Sequence, residues 1–159
     1  LEPTVLISMP RFALHLANLA AEQGGDLAQS SVKKITCSAE PVSDAKWEKL
    51  ARTWGAEVFN VFGMSEAGLI GAEGIAHDGM HIWSDMFFLE VVEPETGEVL
   101  APSAEGRLCQ TPRWTNHVTP LLPSNPGDIV TFVEHGTSGG QFADLFAIIR
   151  HANRTAGFL

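Results

Sequence analysis

Glu57-Val58-Phe59-Asn60-Val61-Phe62-Gly63-Met64-Ser65-Glu66 runs from a β-branched and aromatic segment straight into a glycine, a hydroxyl and a carboxylate. Its first six residues predict a strand, and Gly63 predicts that strand's end. Upstream, Trp47, Leu50, Ala51 and Trp54 follow the i, i+3, i+4, i+7 spacing of a helical face, with Ser43 as a cap before them and Gly55 as a stop after them. Lys33-Lys34-Ile35-Thr36-Cys37 reads as a second strand. Phe12, Leu16, Leu19 and Ala20 share the face of an earlier helix, with Ser8 as its cap, Pro10 in its first turn and Gly24-Gly25 at its end. Thr4-Val5-Leu6-Ile7 reads as a buried first strand. Strand–helix–strand–helix–strand implies parallel pairing through right-handed crossovers, with ligands beyond the carboxyl ends of the strands. Those ends are Ser8-Met9, Ser38-Ala39-Glu40-Pro41 and Gly63-Met64-Ser65-Glu66.

The texture changes from about Met80. Apolar runs at His81 to Val92, Gly106 to Thr111, Asp128 to Val133 and Leu145 to Arg150 are split by turn residues, and Glu95-Thr96-Gly97-Glu98 reads as a hairpin turn. The expected fold is α/β: a parallel βαβαβ portion over residues 1–75, then an antiparallel β-rich portion of the same domain over 76–150.

Composition narrows the function. Of 159 residues, 45% are hydrophobic and 18% charged, enough apolar material to bury a core. Ten Lys and Arg against nineteen Asp and Glu give a net charge of −9, which argues against a general nucleic-acid binder because such proteins need a basic face. No apolar run approaches the ~20 residues that span a bilayer, so no integral membrane protein is expected. No secretory leader is visible, and Cys37 and Cys109 form no CxxC. Two free thiols in a cytoplasmic, reducing setting are the simpler reading, with a disulfide left open. A start at Leu1 and a finish at Phe158-Leu159, inside an apolar stretch, lead us to expect a piece of a longer polypeptide.

The strand ends carry the chemistry. Gly63 lets a ligand approach the backbone. Ser65 can hydrogen-bond a phosphate. Glu66 cannot usefully touch a phosphate but can hold a Mg²⁺ that phosphates share. Phe62 can stack on a base. Asp128, after Pro126-Gly127 and before Ile129-Val130, can accept two hydrogen bonds from a ribose diol, each worth ~1.5–3 kcal/mol when charge-assisted. Arg154, within Asn153-Arg154-Thr155, can serve a phosphate or ribose. Each signal alone also reads as an ordinary turn or a solvated surface group.

Taken in order, Ser38-Ala39-Glu40-Pro41, Phe62-Gly63-Met64-Ser65-Glu66-Ala67-Gly68, His77-Asp78-Gly79-Met80-His81-Ile82-Trp83, Val92-Glu93-Pro94-Glu95-Thr96-Gly97-Glu98, Gly127-Asp128 and Asn153-Arg154-Thr155 resemble the adenylate-forming superfamily, most closely its phenylacetate-CoA ligase branch. The resemblance covers nearly the whole chain. It implies part of the large N-terminal domain of an enzyme that activates a carboxylate with ATP to an acyl-adenylate and then transfers the acyl group, usually to coenzyme A. The implied substrate is a small aromatic or arylacetic acid, and the implied cofactors are ATP, Mg²⁺ and, as acyl acceptor, coenzyme A. It is compatible with a homodimer.

By the same resemblance, Ser38, Ala39, Glu40 and Pro41 flank the adenine and acyl pockets. Phe62 stacks on adenine, with Gly63 and Met64 beside it. Ser65 contacts the α-phosphate, Glu66 binds Mg²⁺, Asp128 holds the ribose hydroxyls, and Arg154 contacts ribose or phosphate where residues 151–159 begin a hinge. Ser65 and Glu66 are the implied catalytic residues. Departures stand out: Phe62 replaces the usual Tyr, Pro123-Ser124-Asn125-Pro126 replaces a basic run, and Asn153-Arg154-Thr155-Ala156 lacks the hinge acid. The family's phosphate loop and catalytic lysine find no counterpart here. The chain alone is therefore expected to be inactive, because little in it neutralises a pyrophosphate leaving group.

Two rival readings are a serine hydrolase, with Ser65 in a nucleophile elbow ahead of Asp128 and His151, and a non-catalytic binding module. Against the hydrolase, Gly68, Gly71 and Gly74 follow where a helix is needed. His77, His81 and Cys109 could share a zinc ion, but Gly79 between the histidines favours a loop pair. His15, Trp47 and Trp54 read as helix packing residues.

Overall fold

The computed structural model describes residues 2–40, 42–65, 67–113, 127–133 and 146–151. The chain divides into two compact units, Leu1–Val61 and Phe62–Asn153.

In the first unit, β1 (Val5–Ser8), β2 (Lys34–Cys37) and β3 (Glu57–Met64) alternate with α1 (Pro10–Glu22) and α2 (Asp44–Trp54). The pairings β1–β2 and β2–β3 are parallel, as the alternation predicts, and Ser8, Cys37 and Asn60 stand level across the sheet. Leu6, Ile35 and Val58 form one row, and α1 and α2 cover it with Ala13, Ala17, Leu50 and Trp54. The Trp54 indole N–H donates to the Ala13 carbonyl at 3.1 Å, locking the helices together. Gly55, in the left-handed region at φ 58, ends α2 as expected.

Two expectations change. The first strand forms, but Val5 and Ile7 are 50% and 77% exposed, because both helices lie on the Leu6 face. In α1 the buried line is Ala13 and Ala17, while Phe12, Leu16 and Leu19 are exposed. Close approach to Trp54 selects the small residues.

The second unit is antiparallel. It contains β4 (Gly68–Glu73), β5 (Met80–Trp83), β6 (Phe87–Val92), β7 (Glu105–Pro112), β8 (Ile129–Val133) and β9 (Phe146–His151). The pairings run β4–β5–β9–β8–β7–β6. Ile70, Ile82, Phe87, Leu108 and Val130 form its core. The run His81 to Val92 is two strands, broken at Ser84-Asp85-Met86 where the Met86 amide bonds the Trp83 carbonyl at 3.0 Å. Of the glycines after Ser65, Gly68 and Gly71 belong to the strand β4, and Gly74 follows its end. The fold is thus mixed α/β, a parallel sheet followed by an antiparallel one. Among the described residues no helix is long and apolar enough to cross a membrane.

Candidate functional site

The described site residues fall into two groups, one in each unit. In the first, the β2 tip carries Ser38, Ala39 and Glu40. Ala39 sits at φ 71, the left-handed region that costs a residue with a Cβ about 1–2 kcal/mol. The Glu40 carboxylate explains how the turn is held: its Oε1 accepts the Arg11 backbone N–H at 2.9 Å. Helix α1 lacks a cap of its own. Its N-cap residue is Met9, which offers no side-chain oxygen, and its first turn has no acid. Pro10 has no N–H, so Arg11 presents the first free amide. The expected cap, Ser8, instead donates its hydroxyl to the Met9 carbonyl at 3.1 Å. At α2, Ser43 does occupy the N-cap position, but its side chain makes no capping bond. Burial, and then the Glu40 charge, push the neighbouring Cys37 thiol up to about 11. Pro41 lies outside the described residues.

In the second unit, β3 continues past Asn60 to carry Phe62, Gly63 and Met64, and Ser65 follows in an exposed turn. The Ala67 amide closes that turn on the Met64 carbonyl at 3.2 Å. Phe62 is half-buried and packs, like Met64, against the antiparallel core. A Cβ at Gly63 would lie 2.7 Å from the Gly68 carbonyl oxygen, so the chain's own return into β4 requires this glycine. Because β4 begins at Gly68, Ser65 lies in a strand–turn–strand hairpin. A nucleophile elbow needs a helix at that point.

Asp128 is half-buried just before β8, after Gly127 at φ 87. Its carbonyl accepts the Leu108 amide of β7 at 2.9 Å. Two residues further along β7, the fully buried Gln110 donates its side-chain amide to the Met64 thioether. One three-residue run, Leu108–Gln110, therefore fixes both the strand end before Ser65 and the segment that carries Asp128. Gln110 was missed from sequence. Its signal was there: Gly106, Leu108 and Gln110 alternate inward, and a glutamine in a core slot is unusual. Glu66 and Arg154 lie outside the described residues.

His77 Nδ1 lies 3.4 Å from the Glu73 carboxylate, and His81 Nε2 lies 2.9 Å from Asp78. Each histidine thus has a carboxylate neighbour of its own. Among the described residues no three His, Cys, Asp or Glu side chains converge on a metal position. Both cysteines are free.

This architecture is that of the adenylate-forming ligases. The chain matches an open conformation of 2-hydroxyisobutyryl-CoA ligase, in complex with 2-HIB-AMP and CoA, with a TM-score of 0.80 and 20% identity over 93% of this chain and 32% of that one. It belongs to the AMP-binding enzyme family, whose pattern it matches over residues 1–114. It is 32% identical over 139 residues to a phenylacetate-coenzyme A ligase of Thermus thermophilus (84% of this chain) and 31% identical over 134 residues to one of Aromatoleum evansii (80% of this chain). The chain spans 30% of the length of each of these relatives.

Proposed function

We propose that this chain is the nucleotide-handling part of an ATP-dependent carboxylate–CoA ligase that acts in the cytoplasm on an aromatic or arylacetic acid. The observation that carries the reading is the shared anchoring of the Ser65 turn and Asp128 on Leu108–Gln110 of β7. The strand end next to the Ser65 hydroxyl and the segment that bears the Asp128 carboxylate, groups that can serve a phosphate and a ribose diol, both bond to one strand, which supports a nucleoside monophosphate as the ligand. The phenylacetate-CoA ligase relatives support the substrate class.

In this reading Ser65 donates to the α-phosphate, and the half-buried Phe62 presents its ring to adenine. Asp128 accepts from the ribose hydroxyls. Ser38 and Ala39, with Pro41, border the adenine and acyl pockets, and Arg154 contacts ribose or phosphate. Glu66 next to Ser65 suits Mg²⁺, which takes one or two carboxylates and completes its shell with phosphate oxygens and water. When bound, the ion neutralises phosphate charge. Coenzyme A accepts the acyl group.

The test is an AMP titration of the ¹⁵N-labelled chain followed by NMR. Saturable shifts are expected at Phe62, Gly63, Ser65 and Asp128, and their absence there rejects the reading. In parallel, ATP, Mg²⁺ and aryl acids should give negligible pyrophosphate release with this chain alone.

A further inference from the structure

Glu40 stands out in the β2 tip because its side chain is already occupied. Its carboxylate reaches back 29 residues to the Arg11 amide, the first unsatisfied donor of α1. The register makes this natural. Ser8 and Cys37 are level neighbours in a parallel pair, so the segment leaving β1 into α1 and the segment leaving β2 run side by side.

Between these anchors lies Ala39 in the left-handed region at φ 71. A non-glycine residue keeps such a conformation only where its surroundings over-determine it. On one side stands Cys37, fully buried and paired in the sheet. On the other stands Glu40, whose backbone is restricted because Pro41 follows it and whose side chain is tied to α1. Freed from that tie, Ala39 can relax to an ordinary conformation and carry Ser38 away from its present direction.

We propose that Glu40 is a positioning residue for nucleotide binding: by capping α1 through the Arg11 amide, its carboxylate holds the Ser38–Glu40 turn in its strained conformation. This rests on the nucleotide reading above and deepens it. Glu40 contributes no direct contact to the nucleotide.

Two consequences of losing Glu40 must be separated: a weaker helix and a displaced turn. A serine at position 9 separates them, because it supplies α1 with a local cap without touching the turn. Four forms of the full chain are compared: unmodified, Glu40→Gln, Glu40→Ala, and Glu40→Ala combined with Met9→Ser. Each is read by thermal unfolding, by hydrogen exchange of the Arg11 amide and by AMP titration.

In Glu40→Ala, Arg11 protection should be lost, the melting temperature should fall by about 2–4 °C and AMP should bind about tenfold more weakly. Adding Met9→Ser should restore the melting temperature but not the AMP affinity. Glu40→Gln keeps an oxygen for Arg11 and should bind AMP within about threefold of the unmodified chain.

The proposal is overturned if Met9→Ser restores AMP affinity together with stability, since Glu40 would then be only a cap. It is also overturned if Glu40→Gln binds as weakly as Glu40→Ala while Arg11 stays protected, because the charge would then act on the ligand directly. Equal AMP affinity in Glu40→Ala and the unmodified chain removes the positioning role and leaves the nucleotide reading intact. No AMP-induced shifts in the unmodified chain overturn the nucleotide reading itself, and the positioning role with it.

Discussion

Gln110, wholly buried in β7, donates its side-chain amide to the thioether of Met64, 46 residues earlier in the chain and next to Ser65. A polar side chain thus joins the strand end that carries the candidate phosphate-binding hydroxyl to the strand that also holds Asp128.

Replacing Gln110 tests that link. Gln110→Ala removes buried volume and a buried hydrogen bond, so it should destabilise the chain by about 2–3 kcal/mol in urea unfolding. Gln110→Leu keeps the volume and should cost less than about 1.5 kcal/mol. It should nevertheless broaden the NMR signals of Met64 and Ser65, because the tether is gone. Unchanged signals at both positions would count against a positioning role for Gln110.

Gly63 permits a close return of the chain. A Cβ on residue 63 would lie 2.7 Å from the Gly68 oxygen and 3.2 Å from the Leu69 Cα, both of them backbone atoms, so Gly63→Ala should cost about 1–3 kcal/mol. Gly97 offers a contrast: it needs φ 74, but a Cβ there meets nothing within 4 Å, so Gly97→Ala should cost about 1 kcal/mol. Equal costs in urea unfolding would show that crowding at Gly63 is not the constraint.

Much of the first unit was legible because its signals are local. The helical spacing in α2, the left-handed Gly55 and the alternation of strands and helices depend on neighbours within a few residues. What escaped depends on distant contacts. Ser8 looked like the cap of α1, yet the capping oxygen comes from Glu40, which only the parallel register places there. The glycines after Ser65 read only as a departure from helix, with no sign of the strand that they enter. At Gly71 a Cβ would lie 2.5 Å from the His81 carbonyl oxygen, so close pairing with β5 selects glycine inside that strand. Ser65 and Asp128 were legible as site candidates from their places at strand boundaries. Gln110 lies inside a strand rather than at its boundary; the inward alternation of Gly106, Leu108 and Gln110 marks its burial, but its role depends on Met64 packing against it.

Cys37 should resist alkylation in the folded chain. It is fully buried, and its thiol is raised from 9.0 to about 11 by burial and by Glu40. A folded value above the unfolded one gives stability that is fully present below about pH 9 and is lost as pH rises through about 11. Unfolding midpoints measured from pH 8 to 11 should therefore fall at the alkaline end, and less so in Cys37→Ala. With iodoacetamide at pH 8, Cys109 on the partly exposed side of β7 should react first.

The turn after β6 should respond to acid. The amides of Thr96 and Glu95 donate to the Glu93 carboxylate at 2.7 and 2.6 Å and hold its pKa below the ordinary 4.5. Its contribution is present above 4.5 and is lost as pH falls through the lowered value. The Glu95 and Thr96 amide shifts should titrate together in that acid range, and Glu93→Gln should abolish the titration. Independent titration of the two amides would contradict the shared acceptor.

The open side of β1 governs how the chain behaves in a test tube. Ile7 at 77% and Phe12 at 55% exposure, with Leu16 and Leu19, leave oily side chains in water beside a strand that, among the described residues, pairs only with β2. At low ionic strength the charge of −9 keeps molecules dispersed by mutual repulsion. Near 1 M salt that repulsion reaches only ~3 Å. The protein should then cloud or gel in brine, and dilute buffer should be its better storage medium.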